Sequence, residues 1–140
     1  MSTTSSADVA TDPGYFTYYS SCTPDAKIVL GDARLTLADA SEGFYDLIIV
    51  DAFSSDAIPI HLLTQEAMAI YLAKLAPGGI VLMHISNRHM ELASVLAAFG
   101  KAEGFATYDK QDDQANTFTT DYHANAEVVV LARDTEVLHR

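Results

Sequence analysis

The stretch that decides the fold is residues 45–86, YDLIIVDAFSSDAIPIHLLTQEAMAIYLAKLAPGGIVLMHIS. Two aliphatic runs within it, residues 47–50 and 80–85, have the length and composition of strands that are covered on both faces of a sheet. Between them, Thr64 is a favoured N-cap for a helix that we expect to run to Ala76, where the Pro-Gly-Gly that follows stops it. The order strand, helix, strand predicts a β-α-β unit with parallel strands.

Polar side chains follow the first of these strands. Asp51 comes directly after it, and Ser54, Ser55 and Asp56 lie within the next five residues. Ligands of open parallel sheets bind outside the carboxyl ends of the strands, so this position predicts a small-molecule site. The competing interpretation is that these aspartates only serve turns and caps, which are common uses of Asp.

The segments before this unit predict a short strand over residues 27–30, which ends at Gly31 and Asp32. A short helix over residues 33–40 and a turn over residues 41–43 follow. For Asp32 the alternatives are a ligand contact and an N-cap of that helix.

The segments after the unit predict one more helix and two strands. The helix can start at Asn87 and end at Gly100 or Gly104, and its apolar residues fall at i, i+3, i+4 and i+7, which is one core-facing stripe: Leu92, Val95, Leu96 and Phe99. Ser86 and Asn87 are either site residues or caps of this helix. Strands are expected over residues 105–109 and 126–132, with a polar loop or hairpin between them.

Composition limits the classes of function. A chain of 140 residues with 49% hydrophobic residues is long enough for one domain with a real core, which we place at residues 15–140 after a flexible lead-in over residues 1–14. The net charge of −11 argues against nucleic acid and anionic membranes as partners. It is compatible with cationic ligands such as polyamines, although a merely soluble acidic surface is the commoner explanation.

Compartment is inferred from what the sequence contains. Cys22 is the one cysteine, so no internal disulfide can form and a reducing environment is expected. The N-terminus lacks the pattern of a signal peptide, and no apolar run approaches the length of a membrane span. These features predict a cytoplasmic protein without a direct membrane span.

Several motifs together resemble the spermidine synthase family, the aminopropyltransferases built on the S-adenosylmethionine (SAM) methyltransferase-type Rossmann fold. The motifs are Gly31-Asp32-Ala33, residues 45–51, a Ser-Ser-Asp loop, a Pro-containing segment and the Leu-Ala-Pro-Gly-Gly at residues 75–79. The resemblance covers roughly residues 12–134. It implies an α/β fold with a partial Rossmann-like, mostly parallel sheet flanked by helices and a C-terminal antiparallel pair of strands. The family's first strands and glycine-rich loop precede the matched region, and none of the seven glycines forms a G-x-G after a strand.

The resemblance also implies roles for individual residues. Asp51 would be the catalytic residue that binds the acceptor amine and takes its proton, while Asp56, Ser54 and Ser55 would contact the substrate. Asp32, Ala33 and Pro59 would lie on the side of the co-substrate, decarboxylated SAM or SAM. Four residues separate Asp51 from Asp56 where the family usually has two, which leaves the choice of amine open.

Three functions are therefore carried forward. The first is aminopropyl transfer from decarboxylated SAM to a polyamine, and the second is a SAM-dependent methyltransferase. The third is a non-catalytic relative that forms a homo-oligomer or completes its sheet with a partner, because a sheet without its first strands exposes an edge.

Other catalytic classes have less support from the sequence. The histidines at positions 61, 84, 89, 123 and 139 do not have the spacing of a metal site, so no metal is expected. His84 is interpreted as a core histidine of the second strand. A serine hydrolase would need a G-x-S-x-G turn, which the chain lacks.

Overall fold

A computed structural model of the chain describes residues 6–52, 59–86, 90–112 and 126–139. The chain divides into two compact units, residues 1–32 and 33–140. The first unit contains two short helices, α1 (Ser6–Thr11) and α2 (Tyr18–Cys22), so part of the expected lead-in is helical. The domain boundary after residue 14 stays a prediction.

The strand predicted over residues 27–30 is wrong. These residues have no regular secondary structure, and Val29 and Leu30 are 71% and 72% exposed. A strand needs a hydrogen-bonding neighbour, and none of the strands in the described residues pairs with this segment. A run of only three aliphatic residues, Ile28 to Leu30, is too short to specify that neighbour by itself.

The second unit contains the sheet and the helices that pack on it. Its elements are α3 (Ala33–Ala38), β1 (Tyr45–Val50), a 3₁₀ helix (Ile60–Leu62), α4 (Gln65–Lys74), β2 (Leu75–His84), α5 (Ala93–Glu103), β3 (Ala106–Asp112), β4 (Ala126–Ala132) and a C-terminal 3₁₀ helix (Thr135–His139). The strand order is β1-β2-β4-β3. β1 and β2 pair parallel, and β4 pairs antiparallel with both β2 and β3. The predicted β-α-β unit and the antiparallel C-terminal pair are confirmed. Two of the three pairings between the described strands are antiparallel, whereas a mostly parallel sheet was expected.

The junction between α4 and β2 differs from the prediction. Thr64 caps α4 as expected, because its side chain accepts a hydrogen bond from the Ala67 N–H. The helix ends at Lys74, two residues early, and Leu75 is already extended and paired with Tyr45. The Pro-Gly-Gly segment then lies inside β2, where a Cβ on Gly79 would stand 2.7 Å from the Tyr45 carbonyl oxygen. Glycine is therefore what allows β2 to pass this close to β1.

Helix α5 starts later than the sequence predicted. Residues 90–92 are described and are not helical, and the Glu91 carboxylate accepts hydrogen bonds from the N–H and the hydroxyl of Ser94. Leu92 and Leu96 are buried and Phe99 packs against the core, but Val95 is 53% exposed, so the apolar stripe is narrower than expected. Gly104, with a φ of 77°, ends the helix in the left-handed conformation that glycine favours.

The core lies between one face of the sheet and helices α4 and α5. Alternate residues of the three strands β1, β2 and β4 point into it, because side chains of a strand alternate between faces. The fully or nearly fully buried members of this cluster include Ile48, Val81, Met83, Val129 and Leu131 from the sheet, and Ala67, Met68, Tyr71, Leu72 and Leu96 from the helices.

The opposite face of the sheet is also apolar but remains partly exposed. By the strand register it carries Leu47, Ile49, Ile80, Leu82, Val128, Val130 and Tyr108. Leu47, Ile49 and Tyr108 are 47%, 59% and 54% exposed. Within the described part of the chain, no helix is long and apolar enough to cross a membrane.

Candidate functional site

The register of β1 and β2 brings an acidic residue and a histidine together at the carboxyl end of the parallel pair. Val50 pairs with Met83, so the residues that follow, Asp51 and His84, are neighbours on the same side of the sheet. Their side chains meet in a hydrogen bond of 2.9 Å between His84 Nδ1 and Asp51 Oδ1. The Asp51 side chain is 64% exposed and that of His84 is 34% exposed, so the carboxylate is accessible to a ligand.

Ser86 extends this arrangement. Its hydroxyl oxygen lies 2.7 Å from His84 Nε2 and accepts a hydrogen bond of 2.7 Å from the Glu127 N–H on β4. One step earlier, the Ile85 N–H donates to the Glu127 carbonyl oxygen at 2.9 Å. The Ser86 side chain therefore continues the β2–β4 ladder by one hydrogen bond beyond the last main-chain pair, which fixes its position. Asp51, His84 and Ser86 form a single row, called the Asp-His-Ser row below.

A small apolar pocket lies beside the row. Its cavity volume is about 10 Å³, which leaves room for about one water molecule. The 3₁₀ helix at Ile60–Leu62 forms one wall of the pocket. A buried hydrogen bond of 3.0 Å from the Tyr71 hydroxyl to the Leu62 carbonyl oxygen connects this helix to α4. The lining residues are Val50, Ala52, Pro59, Leu62, Leu63, Met83 and His84.

The predicted site residues have different outcomes. Asp51 lies at the strand end as predicted, and Pro59 lines the pocket beside it. The substrate contacts Ser54, Ser55 and Asp56 lie outside the described residues, as does Asn87. Asp32 is the last residue of the first unit and Ala33 is the first residue of α3 in the second, so their roles stay predictions.

His84 is a member of the candidate site that the sequence analysis did not include. The prediction of a core histidine is wrong, because its side chain is one-third exposed and hydrogen bonds on both ring nitrogens. The alternation of β2 contained the signal. His84 and Ser86 share the face of Ile80 and Leu82, whereas Met83 and Ile85 are fully buried.

Two carboxyl groups at helix starts have lowered pKa values. Hydrogen bonds from its own backbone N–H and from the Thr64 hydroxyl lower the pKa of Glu66. Hydrogen bonds from the Ser94 hydroxyl and N–H lower the pKa of Glu91. These groups stabilise the first turns of α4 and α5. Over residues 6–52, 59–86, 90–112 and 126–139, no group of three or more His, Cys, Asp or Glu side chains could hold a metal ion.

Comparison with known proteins agrees with this topology. A SAM dependent methyltransferase from Archaeoglobus fulgidus superposes with a TM-score of 0.54 at 10% identity, over 79% of this chain and 69% of that chain. The fold is of the SAM-methyltransferase-like Rossmann type. The protein MNMC2 from Aquifex aeolicus superposes with a TM-score of 0.51 at 17% identity, over 81% of this chain and 34% of that chain, so this chain spans about a third of its length. No family model and no curated protein matches the chain. At these identities the likeness establishes the fold, and spermidine synthase specificity stays a prediction.

Proposed function

We propose that the chain forms the acceptor-amine side of a SAM-type transferase site, in which the Asp51 carboxylate binds a protonated amine and takes its proton. The observation that supports this most directly is the exposed carboxylate at the carboxyl end of β1, held by His84 at 2.9 Å. The carboxyl ends of parallel strands are where this class of fold binds its ligands. The strongly acidic chain, with a net charge of −11, favours the approach of a cationic amine.

The chemistry needs little more than a carboxylate and correct orientation. A primary amine has a pKa near 10 and is mostly protonated at neutral pH, so it must lose a proton before it can attack carbon. The nitrogen then forms a bond to a carbon next to the sulfonium, the C–S bond breaks, and a neutral thioether leaves with the bonding electrons. The proton goes to Asp51, which acts as general base, and His84 holds the carboxylate in place.

Both predicted transfer reactions use this step. Transfer of an aminopropyl group from decarboxylated SAM leaves methylthioadenosine, whereas transfer of a methyl group from SAM leaves S-adenosylhomocysteine. Fold likeness to methyltransferases supports a SAM-type co-substrate in general terms. The pocket next to Asp51, with about 10 Å³ of free volume, is far smaller than the few hundred Å³ of an ordinary ligand site. We therefore limit the proposal for this pocket to contact with an apolar part of a ligand.

Calorimetry with a polyamine tests the amine site directly. Putrescine binding to the wild type is compared with binding to Asp51→Asn and to a matched control, Asp46→Asn, which removes another exposed carboxylate of β1. We expect Asp51→Asn to weaken binding about 10- to 100-fold, because a hydrogen bond to a charged group is lost, and Asp46→Asn to have little effect. Equal losses in both variants would reduce the effect to net charge and refute a specific amine site.

Product analysis then separates the two reactions. The chain is incubated with putrescine and either decarboxylated SAM or SAM, and the nucleoside products are identified by mass spectrometry. Methylthioadenosine that depends on Asp51 supports aminopropyl transfer, and S-adenosylhomocysteine that depends on Asp51 supports methyl transfer. Turnover that is unchanged in Asp51→Asn would refute Asp51 as the base.

A second candidate function, self-association through the sheet, is favoured by the position of β1 at one edge of the described sheet. Among the described strands, none pairs with the outer edge of β1, and Leu47 and Ile49 are exposed on it. An antiparallel pair of β1 strands centred on Ile48 would place Leu47 of each copy opposite Ile49 of the other. It would also keep Asp46 opposite Val50, so that no two carboxylates face each other.

Light scattering over a range of protein and salt concentrations tests this pairing. Each copy has a net charge of −11, so salt should strengthen a dimer by screening the repulsion. Ile49→Lys should abolish the dimer, and Tyr108→Lys on the other edge strand should not. A monomer at every concentration, or equal sensitivity to both variants, would exclude pairing through β1.

A further inference from the structure

The direction of each hydrogen bond in the Asp-His-Ser row follows from which groups can donate and which can only accept. A peptide N–H can only donate, so the Ser86 oxygen accepts from Glu127. An ionised carboxylate can only accept, so the hydrogen between Asp51 and His84 resides on Nδ1. A neutral imidazole has one N–H, which leaves Nε2 as an acceptor 2.7 Å from the Ser86 hydroxyl. For a neutral ring, these roles assign the Ser86 hydrogen to the bond with Nε2.

We propose that Ser86 is a positioning residue that holds His84 in the Nδ1–H tautomer, and through it orients the Asp51 carboxylate toward the acceptor amine. The hydroxyl has one hydrogen, and the Glu127 N–H occupies one of its lone pairs, so its natural partner is an unprotonated Nε2. The opposite tautomer would place an N–H against this hydroxyl and leave two acceptors, Nδ1 and the carboxylate, in contact. Both ends of the row thus favour the same tautomer.

The Ser86 hydroxyl is held in place by a main-chain N–H of β4 and not by another side chain. Glu127 lies on β4, whose pairing with β2 continues through the Ile85 N–H to the Glu127 carbonyl oxygen. The Ser86 oxygen then takes the next N–H of the same ladder. A rotation of Ser86 away from His84 would break this partly buried hydrogen bond, which has a cost in free energy.

The consequence for the site concerns the two carboxylate oxygens of Asp51. His84 binds Oδ1, and among the described residues no hydrogen bond is found for Oδ2. A fixed Nδ1–H therefore holds this exposed carboxylate in one orientation through Oδ1, and Oδ2 is the oxygen that would bind the amine. This catalytic consequence rests on the proposed function, whereas the tautomer itself does not.

Nitrogen NMR of the ¹⁵N-histidine-labelled chain tests the tautomer without any ligand. The spectrum is recorded at pH 8, where an ordinary imidazole is neutral, and His84→Gln assigns the signals of His84 among the five histidines. We expect the wild type to show the Nδ1–H form. Ser86→Ala should give a mixture of both forms, and Ser86→Thr, which keeps the hydroxyl, should restore the wild-type pattern. A predominant Nε2–H form in the wild type, or an unchanged pattern in Ser86→Ala, would overturn the proposal.

Putrescine affinity measured on the same variants connects the tautomer to the site. We expect Ser86→Ala to bind about threefold to tenfold more weakly than the wild type, which corresponds to the loss of one neutral hydrogen bond, and Ser86→Thr to stay within about twofold. If the tautomer shifts as expected but affinity does not change, the orienting role is refuted. If the wild type binds no amine, the proposed function fails, and the NMR result alone decides whether Ser86 fixes the tautomer.

Discussion

The hydrogen bond from the Tyr71 hydroxyl to the Leu62 carbonyl oxygen should contribute measurably to the free energy of unfolding. It should also hold in place the 3₁₀ helix at Ile60–Leu62, which forms a wall of the pocket. Both residues are buried, at 3% and 5% exposure, and the oxygens are 3.0 Å apart. Tyr71→Phe removes one oxygen atom and leaves the carbonyl without this donor. The net worth of a hydrogen bond is about 0.5–1.5 kcal/mol, and an unsatisfied buried group costs about 1–3 kcal/mol. We therefore expect the free energy of unfolding to fall by about 1.5 kcal/mol.

Urea unfolding followed by circular dichroism measures this change, and for a chain of this size it corresponds to a melting temperature lower by about 5 °C. Tyr108→Phe is the matched control, since Tyr108 is 54% exposed and its hydroxyl can bond to water instead. The slope of the free energy against urea should stay the same in both variants, because the surface exposed on unfolding does not change. A loss below about 0.5 kcal/mol, or one equal to that of Tyr108→Phe, would refute the view that this bond secures the 3₁₀ helix.

Three further variants test the packing and electrostatics of the second unit. Thr107→Val should leave stability unchanged or raise it by up to about 1–3 kcal/mol. The Thr107 hydroxyl is buried without a hydrogen-bond partner among the described residues, and an apolar group of the same shape removes the cost of burying it unpaired. A clearly lower melting temperature would contradict this. Lys74→Met should destabilise by about 1–3 kcal/mol, since the buried ammonium donates to the Ala40 carbonyl oxygen at 2.7 Å, and urea unfolding that matches the wild type would rule out a role for this bond. Glu91→Gln tests the pH dependence of stability. Hydrogen bonds from the Ser94 hydroxyl and N–H hold the folded-state pKa of Glu91 below its ordinary value of 4.5. The stability that Glu91 contributes is therefore present above pH 4.5 and is lost as the pH falls through the lower folded value. Stability should therefore fall less steeply below pH 4.5 in Glu91→Gln than in the wild type, and parallel curves would refute the contribution.

The parts of the fold that local pattern determines could be predicted from the sequence. β1 contains the aliphatic run 47–50 that predicted it, and β4 has the predicted bounds, because runs of large aliphatic residues favour strands. The expected coverage of both faces is not found in the described residues, since Leu47 and Ile49 of β1 are 47% and 59% exposed. The Thr64 cap was also predictable, since it depends on a hydrogen bond to a residue only three positions away.

The parts that depend on distant pairing could not be predicted in this way. The segment over residues 27–30 has a strand composition but no partner in the described sheet. β2 begins at Leu75 because it pairs with Tyr45 thirty positions earlier, although Pro-Gly-Gly normally marks a break. The first case depends on the lack of a distant partner in the described sheet and the second on the presence of one, and neither can be inferred from the local sequence.

The site follows the same rule. Asp51 was predictable because its position at a strand end is a local property, whereas the partner that orients it comes from the register of a second strand. A single residue's shift of that register would move His84 to the other face of the sheet and break the Asp-His-Ser row. The geometry of the row is thus secured by the same main-chain pairing that holds the core.

Two properties of the proposed site, the orientation of the Asp51 carboxylate and the choice of amine, should depend on different parts of the chain. The Asp-His-Ser row is built on paired strands, so the orientation of the carboxylate should resist changes in the connections around it. By contrast, the connection of residues 53–58 lies in sequence between two residues that line the apolar pocket, Ala52 and Pro59, and the spacing of its Ser-Ser-Asp sequence from Asp51 is one of the points at which the sequence departs from the spermidine synthase pattern. Substitutions in that connection should therefore alter which amine is bound, while the ¹⁵N signature of His84 stays that of the wild type. Loss of the Nδ1–H signature after such a substitution would show that the connection, and not the strand register, orients Asp51.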